Sequence, residues 1–291
     1  MIKYIENSCD ACGSNEYEEI KCLRKYTKNQ PIHVCKNCGL IYVKKRRPPK
    51  KVADDWSNRI FSSSGNYTAR IPAIFARQNF IADMIDFEQG LKNKTLCDIG
   101  AGEGQFLEIV RNNYFGKVFG IEPSQILCES MDKNKIENFC GTIEDFKNSN
   151  EKLKKFNFLT MMWTLECCAD PNAMLRIAGE IIHDDGFIVV GTGSRILVPF
   201  KKPLHFYIDS SPLDTHPLRF SFNTLARILQ RNGFEVVKQN RYIDQDWLCV
   251  MAQKTFSKKN KKFKDDYKKV IDFFQRWDQD TKKYYAAYKE S

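Results

Sequence analysis

Apolar and polar positions along this chain alternate between two registers. Short apolar runs at 95–99, 118–121, 156–163, 186–192 and 247–252 read as strands. Between and before them the apolar positions recur at helical intervals. Ile74, Phe75, Ala82 and Ile85 do so within 71–89, where Pro72 suits a first helical turn, and Phe106, Leu107, Ile109 and Val110 follow the first strand. Gly141 to Phe146 reads as the end of a further short strand. This alternation of strand and helix predicts an α/β fold. Ahead of it, Leu40-Ile41-Tyr42-Val43 forms an isolated apolar strand, and Pro48-Pro49 breaks the pattern and predicts a stiff spacer. Near the C-terminus, Phe263, Tyr267, Val270, Phe274 and Trp277 sit at helical spacing among lysines, which predicts an amphipathic basic helix that packs back on the body.

With 291 residues, 42% hydrophobic and 28% charged, the composition is that of a globular chain and excludes a disordered or fibrous one. No stretch approaches the length of a membrane-spanning helix, and the N-terminus shows no signal peptide, so a soluble, cytoplasmic protein is expected. The net charge of +10 is concentrated in two places. The run Lys44, Lys45, Arg46, Arg47, Pro48, Pro49, Lys50, Lys51 carries six positive charges, and the tail from Thr255 to Ser291 holds eleven basic against six acidic residues. The rest of the chain is close to neutral. Such stretches read first as solvated surface, and second as a site for nucleic acid or an anionic lipid surface.

Eleven cysteines with no export signal argue against a disulfide framework. Four have a regular arrangement, Cys9-x-x-Cys12-Gly13 and Cys35-x-x-Cys38-Gly39, with 22 residues between the pairs. A CxxC turn aims two thiolates at one metal, and the following glycine permits the tight backbone. Two such knuckles form a closed tetrahedral site of the structural type, so Cys9, Cys12, Cys35 and Cys38 are expected to hold zinc. A module this small needs a metal to stay folded. Cys22 and His33, between the knuckles, are taken as ordinary side chains.

The strand at 95–99 runs into Gly100-Ala101-Gly102-Glu103-Gly104 and then a helix, the arrangement that brings backbone close to a ligand and points amides at it. Glu122, at the tip of the next strand, is placed to bind ribose hydroxyls of an adenosine cofactor.

DIGAGEG at 98–104, Glu122 and Ile143-Glu144 together resemble the class I S-adenosylmethionine (SAM)-dependent methyltransferases, and the resemblance runs over about 71–254. Leu165 to Pro171 is similar to the family's LEHxxDP segment, and Arg219 to Val236 to its late FSxxxLxxLLxxxGFxV helix and strand. The resemblance implies a Rossmann-like sheet with a small N-terminal zinc ribbon and a C-terminal helical tail, divided as 1–43 zinc ribbon, 44–90 linker, lid and lead-in helix, 91–254 methyltransferase core and 255–291 tail. It implies an enzyme whose SAM site uses Asp98, Gly100, Ala101, Gly102, Gln105, Glu122, Pro123, Ile143, Glu144 and Met162. A zinc ribbon ahead of such a core resembles bacterial methyltransferases of sugar, nucleotide-sugar and surface-polysaccharide pathways. Their C-methylating members carry a large further C-terminal domain, and this chain ends soon after the sheet, which points to O-methylation of a small acceptor.

Two departures and one open role complete the picture. Cys167 stands where the family motif has histidine. The fourth strand lacks the Asn/Asp-Pro-Pro-aromatic motif of exocyclic nitrogen methylation, which leaves an RNA substrate as an alternative, with a non-enzymatic scaffold as a third reading. An alcohol acceptor needs a base. Of four histidines, His33 lies beside a knuckle and His183 precedes a polar turn. His216 is the first candidate and His205 with Tyr207 the second, both in the long segment after the fifth strand, with Asp209 and Asp214 as substitutes. The segment from Asp54 to Tyr67, with its serine–glycine run between Trp56 and Tyr67, reads as a lid.

Overall fold

A computed structural model describes residues 4–57, 72–149, 154–199, 202–208, 215–240, 247–257 and 261–290. The Ser62–Tyr67 part of the expected lid, Asp209 and Asp214 lie outside these residues.

The N-terminal module contains β1 (Ile5–Glu6), β2 (Tyr17–Glu19), β3 (His33–Cys35), β4 (Ile41–Tyr42) and β5 (Lys45–Arg46). Two helices lead into the core, α1 (Pro49–Asp55) and α2 (Pro72–Gln89). The core then alternates β6 (Thr95–Ile99), α3 (Gln105–Tyr114), β7 (Lys117–Glu122), α4 (Gln125–Lys133), β8 (Asn138–Cys140), α5 (Ile143–Asn148), β9 (Phe156–Met162), α6 (Pro171–Ile181) and β10 (Ile182–Thr192). After it come α7 (Leu204–Ile208), β11 (Leu218–Arg219), α8 (Phe222–Arg231), β12 (Phe234–Gln239), β13 (Leu248–Lys254) and α9 (Tyr267–Glu290).

Seven strands form one sheet in the order β12-β13-β10-β9-β6-β7-β8. The five from β10 to β8 are parallel, and β13 runs antiparallel between β10 and β12. The central strands are buried on both faces, which is why they read as continuous apolar runs. The chain reverses its winding between β6 and β9, the place where open α/β sheets bind ligands beyond their carboxyl ends. Local chemistry fixes the helix starts. Asp170 accepts from the Ala173 amide ahead of Pro171, so the Asp-Pro pair opens α6, and Ser221 and Thr224 form a capping box at the start of α8.

Three sequence expectations are corrected. Ile143 and Glu144 do not end a strand. The strand is 138–140, and Thr142 caps a helix through a reciprocal bond with Asp145. Pro48-Pro49 is not a spacer, because Pro49 occupies the first turn of α1, where its missing amide costs nothing. The basic run is not a uniformly solvated patch. Arg46 and Arg47 are buried, and Arg46 meets Asp10 through Nη1 and Nη2 at 3.1 and 2.6 Å while donating to the carbonyls of Val43 and Ala169. Arg47 pairs with Asp55.

The N-terminal cysteine module is built into the core. Its sheet has the order β11-β4-β3-β2, so a strand from the C-terminal half completes it, with Leu218 opposite Tyr42 and Arg219 opposite Ile41. Cys9, Cys35, Leu40 and Tyr42 share one apolar cluster with Leu218, Phe220 and Leu225. The tail helix packs back as expected, though on the module and α7. Val270, Phe274 and Trp277 are buried against Leu23, Val34, Leu204 and Ile208. Phe263 precedes the helix and packs edge-on against Phe222.

Candidate active site and metal centre

The turn after β6 is held by β7. The amides of Gly100 and Ala101 donate to the Ile121 carbonyl at 2.8 and 3.2 Å, and Gly100, Gly102 and Gly104 all have positive φ. A Cβ on Gly102 would meet nothing within 4 Å, so this backbone can be approached by a ligand, whereas one on Gly100 would lie 2.5 Å from Thr164 Oγ1. The turn therefore touches the segment that leaves β9.

Two buried carboxylates sit beneath it. Glu122 accepts from the amides of Gly102 and Ser124, each at 2.9 Å, and Asp98 accepts from the Thr160 hydroxyl at 2.7 Å. Burial pushes both upward, Glu122 to about 7 against the pull of its amides, and Asp98 to about 8, opposed by Thr160 and raised further by Glu122. Gln105 is buried with its Oε1 unpartnered. Pro123 follows Glu122, and the Gly141 amide donates to the Glu122 carbonyl, which brings Ile143 and Glu144 alongside the β7 tip. Met162 packs on Gly191. These residues bring together uncovered glycine backbone, a carboxylate fixed by two amides and an unused amide oxygen.

A cavity of about 280 Å³ lies at the segments that leave β9 and β10. Trp163, Glu166, Gly193, Ser194, Tyr207, His216 and Arg219 line it, with Arg77, Lys202 and Phe206. Trp163 has φ 60 although it is bulky, a strained position at the end of the central strand, and its amide donates to the Gly191 carbonyl at 2.7 Å. Glu166 lies in a 3₁₀ turn at 165–167. Its Oε1 accepts from the Gly193 amide at 3.2 Å, while Oε2 is buried without a partner. Burial raises this carboxyl to about 7.

The candidate bases separate. His216 and Tyr207 line the cavity, while His205 is absent from its lining and packs against Phe206. His216 is pushed down to about 4 by burial, with Arg219 and Lys202 adding to the effect, so it is neutral near neutral pH. Its Nδ1 has no partner. His183 is exposed in the irregular first half of β10. Sequence reasoning missed Glu166 and Arg219. Glu166 stands immediately before the position where the family histidine was sought, a lone acid among apolar neighbours. Arg219 was read only as the start of a helix motif.

The four knuckle thiols converge. The Sγ atoms of Cys9, Cys12, Cys35 and Cys38 lie within 4.8 Å of one another, with 3.5 Å for both Cys9–Cys38 and Cys12–Cys35. Zinc–sulfur bonds of about 2.3 Å in a tetrahedron require sulfur separations near 3.8 Å, so the donor set fits zinc. Cys22 and His33 are not in the cluster. Gly13 and Gly39 adopt positive φ, and their amides donate to the carbonyls of Cys9 and Cys35 at 2.7 and 2.9 Å. Asp265 closes over the second knuckle, where a Cβ on Gly39 would meet it at 2.7 Å.

Comparison with known proteins decides the family. A family model described as a methyltransferase domain matches residues 75–239, more than half of the chain. The chain belongs to that family. This methyltransferase is similar in fold to magnesium protoporphyrin IX methyltransferase from Synechocystis PCC 6803, at 11% identity and TM-score 0.53 over 72% of this chain and 100% of the other. It is similar to 1,6-didemethyltoxoflavin-N1-methyltransferase from Burkholderia thailandensis at 13% identity and TM-score 0.53, over 74% and 96% of the two chains. The mitomycin 7-O-methyltransferase MmcR aligns at 16% identity and TM-score 0.50 over 63% of this chain and 54% of its own. No curated protein matches the sequence significantly. No helix of the described residues is long and apolar enough to cross a membrane.

Proposed function

We propose that this methyltransferase uses SAM to methylate a hydroxyl of a small polar acceptor, a sugar or sugar derivative, held in the cavity between Trp163 and Arg219. The observation that carries this reading is the shared wall. Trp163 lines the cavity and the next residue, Thr164, touches Gly100 of the cofactor turn. A methyl donor on the turn and an acceptor in the cavity would thus lie on adjacent sides of the β9 terminus. The polar lining suits a hydroxylated ring, with Trp163 and Phe206 as apolar faces. The solved neighbours named above are methyltransferases named for a porphyrin, a toxoflavin precursor and a mitomycin, so the fold accommodates varied acceptors.

When bound, SAM supplies an electrophilic methyl on a sulfonium sulfur. The protein's residues bind, orient and deprotonate. Glu122, already fixed by two amides, presents its carboxylate to ribose hydroxyls. Glu166 Oε2 is placed to take the proton of the acceptor hydroxyl, whose oxygen would gain the methyl as the S–C bond of the donor breaks and SAH leaves, and its pKa near neutrality suits that exchange. His216 Nδ1 accepts a hydrogen bond from the acceptor and orients it, because a group held near pKa 4 stores no proton at neutral pH. Tyr207 completes the wall. Cys9, Cys12, Cys35 and Cys38 would hold a zinc ion of the structural type, since four thiolates leave it no open position.

The RNA alternative loses support, because Arg46 and Arg47 are engaged in internal ion pairs. The test is formation of S-adenosylhomocysteine (SAH) across a panel of neutral sugars, uronic acids, sugar phosphates and nucleotide sugars. The expected result is acceptor-dependent SAH with the added methyl on oxygen, and a roughly 10²–10⁴-fold lower kcat in Glu166→Gln with SAH affinity retained. Methyl found on carbon or nitrogen, or a Glu166→Gln enzyme of full activity, contradicts the proposal.

A further inference from the structure

Two arginines in this protein are equally buried, at 1% exposure each, and they are treated differently. Arg46 has a bidentate carboxylate and two carbonyls. The guanidinium of Arg219 makes one hydrogen bond, from Nη1 to the His216 carbonyl at 3.2 Å, and lies over the Tyr207 ring at 5.6 Å. No carboxylate among the described residues pairs with it. A buried charge without a counter-charge costs several kcal/mol, so a protein keeps one only where something else supplies the partner.

The surroundings indicate what that partner is. Arg219 lines the acceptor cavity with Lys202 beside it, and among the described residues the carboxylate in that lining is Glu166. Glu166 is turned to the amide of Gly193 and does not pair with Arg219. His216 is neutral. Among the described residues, the cavity thus presents a buried guanidinium whose donors are largely unused. A planar fork of N–H groups matches a carboxylate or phosphate by paired, charge-assisted bonds.

We infer that the methyl acceptor carries an anionic group, a carboxylate or a phosphate, that seats on Arg219 with Lys202 beside it. This inference rests on the acceptor site proposed above and narrows its substrate class. Uronic acids and sugar phosphates have this chemistry, and neutral sugars lack it. Seating the anion on Arg219 holds the acceptor by one end, which leaves its hydroxyl to be aimed at Glu166 on another wall of the same cavity.

Equilibrium titration of the SAH-loaded protein with glucuronate, glucose 6-phosphate and glucose tests this. Both anions, or one of them, should bind more tightly than glucose, and the tighter anion identifies the group as carboxylate or phosphate. Arg219→Met should weaken that anion by about ten- to a hundredfold, the loss of one charge-assisted pair, and leave SAH binding unchanged. Removing an uncompensated buried charge should also leave the ligand-free melting temperature equal or higher, an outcome that a structural arginine would not give. Lys202→Ala, at an exposed position, keeps the test valid if Arg219→Met fails to fold, and should weaken the same anion severalfold. Glucose binding as tightly as both anions, or anion affinity unmoved in the variants, overturns the inference. Absence of SAH binding by the wild type would instead overturn the methyltransferase site itself.

Discussion

At the scale of single residues, the site depends on carboxylates that burial keeps partly protonated. Asp98, Glu122 and Glu166 have folded pKa values of about 8, 7 and 7, above their unfolded values. Below about pH 4 both states hold these protons, and between about pH 4 and pH 8 the unfolded chain gives them up first. Rising pH therefore lowers the contribution of these groups to the stability of the ligand-free protein. Urea midpoints measured between about pH 5 and pH 8 should show this slope, and Glu122→Gln should reduce it. A slope unchanged in that variant would show that Glu122 is ionised throughout. Turnover should respond in the opposite direction. A base at Glu166 needs its ionised form, so kcat should rise with pH through about 7, and the rise should be absent from any residual activity of Glu166→Gln. Asp10 offers a contrasting case. Asp10→Ala strands the buried Arg46, and a loss of about 3–5 kcal/mol is expected by denaturant unfolding. A loss below about 1 kcal/mol would mean that the pair behaves as a surface one.

At the scale of elements, the strand–glycine turn–helix unit at 95–114 was legible because its residues leave few alternatives. An apolar run buried on both faces, glycines at positive φ and an amphipathic helix agree with one another. The convergence of Cys9, Cys12, Cys35 and Cys38 was legible for the same reason, since spacing and residue type agree. Other features were hidden by longer-range effects. Lys45 and Arg46 look like solvent-facing charge until β5 pairs with β1 and Arg46 turns inward to an aspartate 36 residues earlier. Thr142-x-x-Asp145 is a capping signature, but the apolar Ile143 beside it suggested a strand. Helix α9 read correctly as an amphipathic helix that folds back, while its packing surface could not be read, because that surface combines the zinc module and α7. Phe274→Ala in α9 should cost about 3–5 kcal/mol, as for a fully buried aromatic. A chain that loses less than about 1 kcal/mol would show that the helix is not part of the cooperative unit.

At the scale of the whole molecule, the cysteine module and the proposed acceptor cavity are joined by one short strand. Leu218 and Arg219 complete the zinc module's sheet, the Val43 amide donates to the Pro217 carbonyl at 2.8 Å, and His216 and Arg219 both face the cavity. The cofactor turn is tied instead to β7, on the other side of β9. Zinc removal should therefore act unequally. Chelation should lower the melting temperature and remove hydrogen-exchange protection from β2, β3, β4 and β11, and it should change SAH affinity far less. Equal loss of both would mean that the molecule unfolds as a single unit without its metal. The module's place in the fold explains why sequence alone divided the chain into ribbon, linker and core. Pairing between residues so distant along the chain leaves no local signal.

The central claim is that a SAM-type ligand binds at the glycine turn over Glu122, next to a separate acceptor cavity. Calorimetric titration of the zinc-loaded protein with SAH tests it most directly, comparing wild type, Glu122→Ala and Glu166→Gln. Micromolar binding by the wild type and Glu166→Gln, with marked weakening in folded Glu122→Ala, is the expected result. No binding by the wild type, or full affinity in Glu122→Ala, would contradict the account.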